Sequence, residues 1–363
     1  MHRLAGSLRS SLVACIRKSL LVTDLEEHNT LFESMRRRWI TVSGILLSSW
    51  ILIYYILNNY YEVQSTDSPF DLTLIYNWIV HRNDYQNIIQ SPKTVPILSP
   101  TAPCQDSPLL VIIVCSSLVN FIPRKAIRDT WSQDAVKSGN SKVLFLVGKT
   151  NDTIFNNALD EESRKYADII QYDFMESYHN LTLKSVLLLK WVINYCQRAR
   201  YVMKVDDDVF LHVPNIIRYL SKVSKPRLLM GVKVYSAKPV KDTDSKWYMP
   251  LAEYPKTVYP NYLAGPGYVM GKHAIEILYR NSFRKPFIRM EDVYITGICS
   301  EDTGLFLEGH DMFTYTKIRN DPCLFRKMYA THRMSPEELY YIWTKVHDSS
   351  LLCYWWSQWI YWR

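Results

Sequence analysis

Glycine is scarce in this chain, with 11 in 363 residues. No GxGxxG and no Walker A run is among them, so a phosphate-bearing ligand would be held by something other than a glycine-rich cradle. No CxxC pair and no Cys–His spacing of the zinc type occurs, which removes structural zinc sites of those kinds. Charge is also sparse, at 21% of residues, and no block of like charge stands out. Nearly half of the residues, 48%, are apolar, which supplies a core and excludes a mainly disordered chain. The net charge of +8 comes without a zinc knuckle, recognition-helix signature or RNA-binding aromatic motif, so no nucleic-acid partner is expected. Phosphate-bearing substrates and anionic membranes remain open. The length suits one large catalytic domain with accessory segments.

The longest uncharged apolar stretch runs from Trp39 to Leu57, with Arg36-Arg37-Arg38 before it and Asn58-Asn59 after it. About 20 apolar residues are what a helix needs to cross a bilayer. The arginine triplet places the N-terminus in the cytosol, giving a single-pass type II anchor at 39–57 behind a cytosolic tail at 1–38. A cleaved signal peptide fits less well, since the run is long, starts late and ends without a small-x-small site. Met35, just before the triplet, offers an alternative start. Residues 58–107, with Ser91-Pro92, Pro96 and Ser99-Pro100, read as a lumenal stem. Beyond the anchor lie six of the seven cysteines, Cys104, Cys115, Cys196, Cys299, Cys323 and Cys353. An even number fits an oxidising lumen and up to three bridges, with 15 pairings open. Cys115, inside an apolar run, reads as a small buried hydrophobe.

From Leu109 the pattern becomes that of a folded domain. Leu109–Val114, Val143–Val147, Ile169–Phe174 and Tyr201–Val205 read as buried strands, and Arg124–Trp131 and Leu181–Gln197 as helices. Strands alternating with helices predict an α/β sheet of largely parallel strands covered on both faces. Ligands on such sheets bind beyond the carboxyl ends of the strands. There the strand Tyr201–Val205 runs into Asp206-Asp207-Asp208. Continued extended geometry would turn Asp206 and Asp208 to one face and Asp207 to the other. An isolated acidic triplet is commonly a solvated turn. Wedged between two apolar runs at a strand end, it would instead need a cation to stay ionised, and oxygen ligands favour a hard ion such as Mn²⁺ or Mg²⁺. Asp129 and the pair Glu291-Asp292 are further acidic candidates.

These residues carry a resemblance. Arg124-Lys125-Ala126-Ile127-Arg128-Asp129-Thr130-Trp131, Phe174-Met175-Glu176-Ser177-Tyr178-His179-Asn180-Leu181, Lys204-Val205-Asp206-Asp207-Asp208-Val209, Tyr259-Pro260-Asn261-Tyr262-Leu263-Ala264-Gly265-Pro266-Gly267, Glu291-Asp292-Val293-Tyr294 and His332 with Ser335-Pro336-Glu337-Glu338 appear in order. Together they resemble the β-1,3-galactosyltransferase family, which includes related β-1,3-N-acetylglucosaminyltransferases, from about Leu109 to Val346. Ser132 stands where that family usually has Gly.

The resemblance implies a GT-A nucleotide-sugar transferase fold over a catalytic domain at 108–350, with a Rossmann-like mixed sheet flanked by helices. It also implies a Golgi membrane location, a UDP-galactose donor, Mn²⁺ with Mg²⁺ as an alternative, and an acceptor glycan on glycoprotein or glycolipid. By that resemblance Asp208 is the principal metal ligand, with Asp206 on the metal or ribose side and His332 as a further ligand. Asp207 would lie on the nucleotide side, and Asp292 would be the general base. Arg128 and Lys184 are candidate donor contacts, or else structural ion pairs. Inverting transfer needs one base and positive charge on the leaving diphosphate, and no second carboxylate nucleophile. The alternatives are N-acetylglucosaminyl or N-acetylgalactosaminyl transfer on the same fold, or an inactive homologue acting as chaperone or glycan binder. Asn151 and Asn180 stand in N-glycosylation sequons, with Asn151 the better acceptor. Oligomerisation is left open, as is the role of the aromatic tail at 351–363.

Overall fold

The structure is a computed structural model that describes residues 85–353. The tail, the anchor expected at 39–57 and the aromatic residues 354–363 lie outside the described residues. No helix among the described residues is long and apolar enough to cross a membrane.

A seven-stranded mixed sheet organises the domain, in the order β3-β2-β1-β4-β7-β6-β8. Its strands are β1 (Leu110–Cys115), β2 (Ser141–Lys149), β3 (Ile169–Met175), β4 (Tyr201–Asp206), β6 (Leu228–Val234), β7 (Tyr262–Gly271) and β8 (Phe306–Gly309). β1 to β4 run parallel, as do β6 and β8, whereas β7 lies antiparallel to both β4 and β6. The expected parallel half is thus present, joined to a half turned by β7. A small second sheet holds β5 (Phe210–Leu211), β10 (Ala330–Thr331) and β9 (Phe313–Thr314).

The pleat divides the core in two. Val111, Ile113 and Cys115 face one apolar cluster, and Leu110, Ile112 and Val114 face the other. The first cluster is closed by α4 (Leu181–Tyr195) and α6 (Lys272–Asn281). α4 is buried all round from Thr182 to Val192, so its apolar residues form no single stripe. The second cluster is closed by α1 (Phe121–Asp129), α2 (Trp131–Ser138), α5 (Val213–Lys222) and α8 (Pro336–Val346). The helix expected over Arg124–Trp131 is interrupted at Thr130, whose hydroxyl bonds back to the Ala126 carbonyl at 2.6 Å. Trp131 then restarts the chain, fully buried with its indole N–H on the Val209 carbonyl. α8 begins on a capping box in which Ser335 and Glu338 satisfy each other's backbone N–H groups, with Pro336 at its first position. Two further helices are α3 (Thr153–Tyr166) and the short α7 (Pro322–Phe325).

Residues 85–107, expected to belong to a spacer, instead pack on the domain. Ile89 is fully buried, and Lys190 of α4 donates to the carbonyls of Ile89 and Ser91. The N–H groups of Ile97 and Gln171 bond across the outer edge of β3, which covers an otherwise open strand edge. A disulfide joins Cys104 to Cys196, and another joins Cys323 to Cys353. Cys115 and Cys299 are free and buried, so two bridges form among the described residues, within the limit of three. The first bridge spans 92 positions of sequence. Replacing both its cysteines by Ser is expected to cost about 2–4 kcal/mol in chemical denaturation, because closing so long a loop restricts the unfolded chain. Asn151 is exposed, as a glycan site requires, whereas the Asn180 side chain is occupied by the Tyr85 hydroxyl and the Met175 carbonyl.

Candidate active site

The carboxyl end of β4 opens into a cleft of about 440 Å³. Asp206, Asp208, Glu291, Asp292 and His332 all line it. A larger and shallower depression, of about 540 Å³, lies around Gln105, Asn194 and Arg198 at the opposite ends of the strands. No acid or histidine lines it.

β4 ends at Asp206, and Asp207 and Asp208 continue as a turn. The three side chains still diverge as alternation predicts. Asp206 and Asp208 face the cleft, while Asp207 accepts bonds from the Ser116 hydroxyl at 2.6 Å and the Asn120 amide at 2.9 Å. Burial, only partly offset by those two bonds, raises the Asp207 carboxyl above its ordinary range. His332, just after β10, places Nε2 3.1 Å from Asp208 Oδ2, and its Nδ1 meets the Tyr315 carbonyl at 2.9 Å. One ligand atom from each of Asp206, Asp208 and His332 lies within 4.8 Å of the others. Two carboxylates and an imidazole oriented through its second nitrogen form a donor set that fits a divalent cation such as Mn²⁺. Burial pushes His332 down, but the bond and charge of Asp208 outweigh it and leave the imidazole above its ordinary value.

Across the cleft, Asp292 sits at the head of a fully buried π-helical turn, Val293–Gly297. Its Oδ1 accepts from the Val293 N–H at 2.9 Å and its Oδ2 from the Gly265 N–H at 3.1 Å. A Cβ at Gly265 would meet Oδ2 at 3.4 Å, an ordinary van der Waals contact. Burial, then the neighbouring Glu291 charge, pushes the Asp292 carboxyl up to about 7, against the two N–H bonds and Lys204. Glu291 is itself engaged: Tyr268 donates its hydroxyl at 2.6 Å and Lys204 lies 3.5 Å away. Lys204 is 2% exposed and also holds Asp206 at 2.6 Å and the Gly265 carbonyl at 2.7 Å. One buried ammonium therefore joins the wall bearing Asp206 to the wall bearing Asp292.

The galactosyltransferase family profile matches residues 123–309. Mouse beta-1,3-galactosyltransferase 1 is 38% identical over 249 residues, covering 68% of this chain and 76% of the relative. The chain belongs to the β-1,3-galactosyltransferase family. Human beta-1,3-galactosyltransferase 5 is 35% identical over 250 residues, covering 68% and 80%. Membership makes the chain a hexosyltransferase.

Within this galactosyltransferase domain, the structure gathers Asp206, Asp208, His332 and Asp292 in one cleft and places the other sequence candidates elsewhere. Arg128 forks onto Asp168 at 2.8 Å, pairs with Glu162 at 2.7 Å and stacks over Phe145 and Tyr166. It does not line the cleft. Lys184 is buried against Glu176 and donates to the Ser116 carbonyl at 2.6 Å, so Lys184 and Asp207 both fasten the loop that follows β1. Asp129 is on the outside, held by Lys125 and the Tyr340 hydroxyl. The residues missed in the sequence are Lys204, Tyr178, Lys246, Trp247, Tyr315 and Arg333, all lining the cleft. Lys204 carried a signal, since it stands two positions before Asp206 on the same face of an otherwise apolar strand.

Proposed function

We propose that this chain is an inverting β-1,3-galactosyltransferase of GT-A type. It moves galactose from UDP-galactose to a hydroxyl of an acceptor glycan on glycoprotein or glycolipid, anchored in the Golgi membrane. The observation that carries the proposal is the single cleft in which one carboxylate, Asp292, is poised near neutrality across from the Asp206–Asp208–His332 trio.

Asp292 takes the proton of the acceptor hydroxyl as that oxygen attacks the anomeric carbon and the bond to the diphosphate breaks on the far side. Its two backbone N–H bonds hold the carboxylate in place while leaving each oxygen a further lone pair. Glu291 is tied to Tyr268 and Lys204 and is 6% exposed, so it is not disposed to act as a nucleophile, in keeping with inversion. Asp206, Asp208 and His332 would hold Mn²⁺, which when bound supplies Lewis acidity to the departing diphosphate. Arg333 adds positive charge on that side. Its backbone is held in the left-handed region at φ 64° between His332 and Met334, whose N–H bonds the Asp208 carbonyl.

The test is turnover of a panel of UDP-sugars by the full chain in detergent micelles, with and without Mn²⁺. UDP-galactose is expected to turn over and chelation to abolish it; undiminished transfer after exhaustive chelation would overturn the reading. Asp208→Ala is expected to weaken Mn²⁺-dependent UDP binding by about tenfold or more in calorimetry, since one charged ligand is lost.

A further inference from the structure

The described surface of the cleft holds three half-exposed aromatic residues, Tyr178 at 43%, Trp247 at 45% and Tyr315 at 48%. Tyr315 belongs to the cation side, because its carbonyl orients His332. Tyr178 and Trp247 form a separate group. Tyr178 comes from the short helical turn Tyr178–Asn180 that leads into α4, and Trp247 from the long connection between β6 and β7. Lys246 joins them, its ammonium 5.7 Å from the Tyr178 ring centre and 5.1 Å from that of Trp247. No carboxylate partner for Lys246 is present among the described residues, so the two rings are its company in the cleft.

Single exposed aromatics are ordinary on a protein surface, but two grouped in a concave site with a polar rim mark a place where a ligand binds. The chemistry of the cover follows from position. The donor diphosphate, being anionic, is served by the side bearing the metal trio and Arg333. Tyr178, Trp247, Gly265 and Asp292 line one cleft, and burial, then the charge of Asp292, raise the Tyr178 phenol. What must lie against that base is a sugar hydroxyl. A pyranose presents a flat face of C–H groups and a polar rim, which suits a half-buried ring beside a hydrogen-bonding carboxylate.

We propose that Tyr178 and Trp247, bridged by Lys246, form the subsite for the acceptor's terminal sugar, a neutral pyranoside seated with its C–H face on the rings and a hydroxyl toward Asp292. The inference rests on the transferase reading above and adds the wall that recognises the acceptor.

The experiment uses the full chain in detergent micelles with Mn²⁺ and UDP present. Saturation-transfer NMR is recorded with the methyl β-glycosides of galactose, glucose and N-acetylglucosamine as probes. At least one is expected to bind the wild type, to weaken about tenfold or more in Trp247→Ala, and to recover partly in Trp247→Phe, as loss and return of an apolar contact require. UDP affinity, measured on the same samples, is expected to stay within about twofold, which also reports that the variants are folded. Absence of binding by all three glycosides to the wild type would overturn the proposal, as would undiminished binding to Trp247→Ala. A parallel loss of UDP affinity in both Trp247 variants would assign the rings to the nucleotide instead. A wild type that binds a glycoside at this wall yet transfers no galactose would sink the donor reading and support this one.

Discussion

Asp292→Asn is expected to lower kcat by about 10²–10⁴-fold while leaving UDP binding unchanged, the usual contribution of a positioned general base. The amide keeps the shape of the side chain and can still accept one of the two backbone N–H bonds, so the loss falls on proton abstraction rather than on folding. The wild-type pH profile is tied to the same group. Because the Asp292 carboxyl is pushed up to about 7, its base form is the minority species below that pH. The kcat/KM of the wild type is therefore expected to drop about tenfold per pH unit on the acid side and to level off above neutrality. A profile flat from pH 5 to 8, or an Asp292→Asn variant with normal turnover, would remove Asp292 from the role of base.

Lys204→Met is expected to destabilise the fold by about 3–5 kcal/mol, the usual result of deleting one member of a buried ion cluster. Methionine fills much the same volume but leaves Glu291 buried with only the Tyr268 hydroxyl, and leaves the Gly265 carbonyl without its donor. In thermal melts this corresponds to a fall on the order of 10 °C for a domain of this size. Any activity that survives should show its acid limb at higher pH, since Lys204 is among the groups that lower the Asp292 carboxyl. Adding Glu291→Gln to Lys204→Met should recover part of the stability by removing the stranded charge. A melting point unmoved by Lys204→Met would show that water already serves these carboxylates.

Much of the site was readable because its parts obey local periodicities. The apolar run at β1 is continuous, since both faces of a central strand are covered, and β4 beside it is apolar apart from Lys204, so the acids stand out where β4 ends. Alternation separated Asp207 from Asp206 and Asp208 even though a turn, not a strand, carries them. Arg128 was less legible because its partners are distant in sequence. Arg124 and Arg128 stand four apart on α1, and both reach Glu162 on α3. Nothing in the local run Arg124–Trp131 distinguishes that pairing from a phosphate site. The aromatic wall was invisible for a similar reason, because Tyr178 and Trp247 meet only through the connection between β6 and β7.

The strap formed by residues 85–107 decides where the catalytic unit can be cut free. A chain begun at position 108 would leave Cys196 with an unpaired thiol, β3 without its cover and the Lys190 ammonium without its carbonyl partners. A soluble form that keeps its shape should therefore carry residues 85–107 together with the sheet and helix they cover, and a strap nicked between residues would still hang on the domain through Cys104.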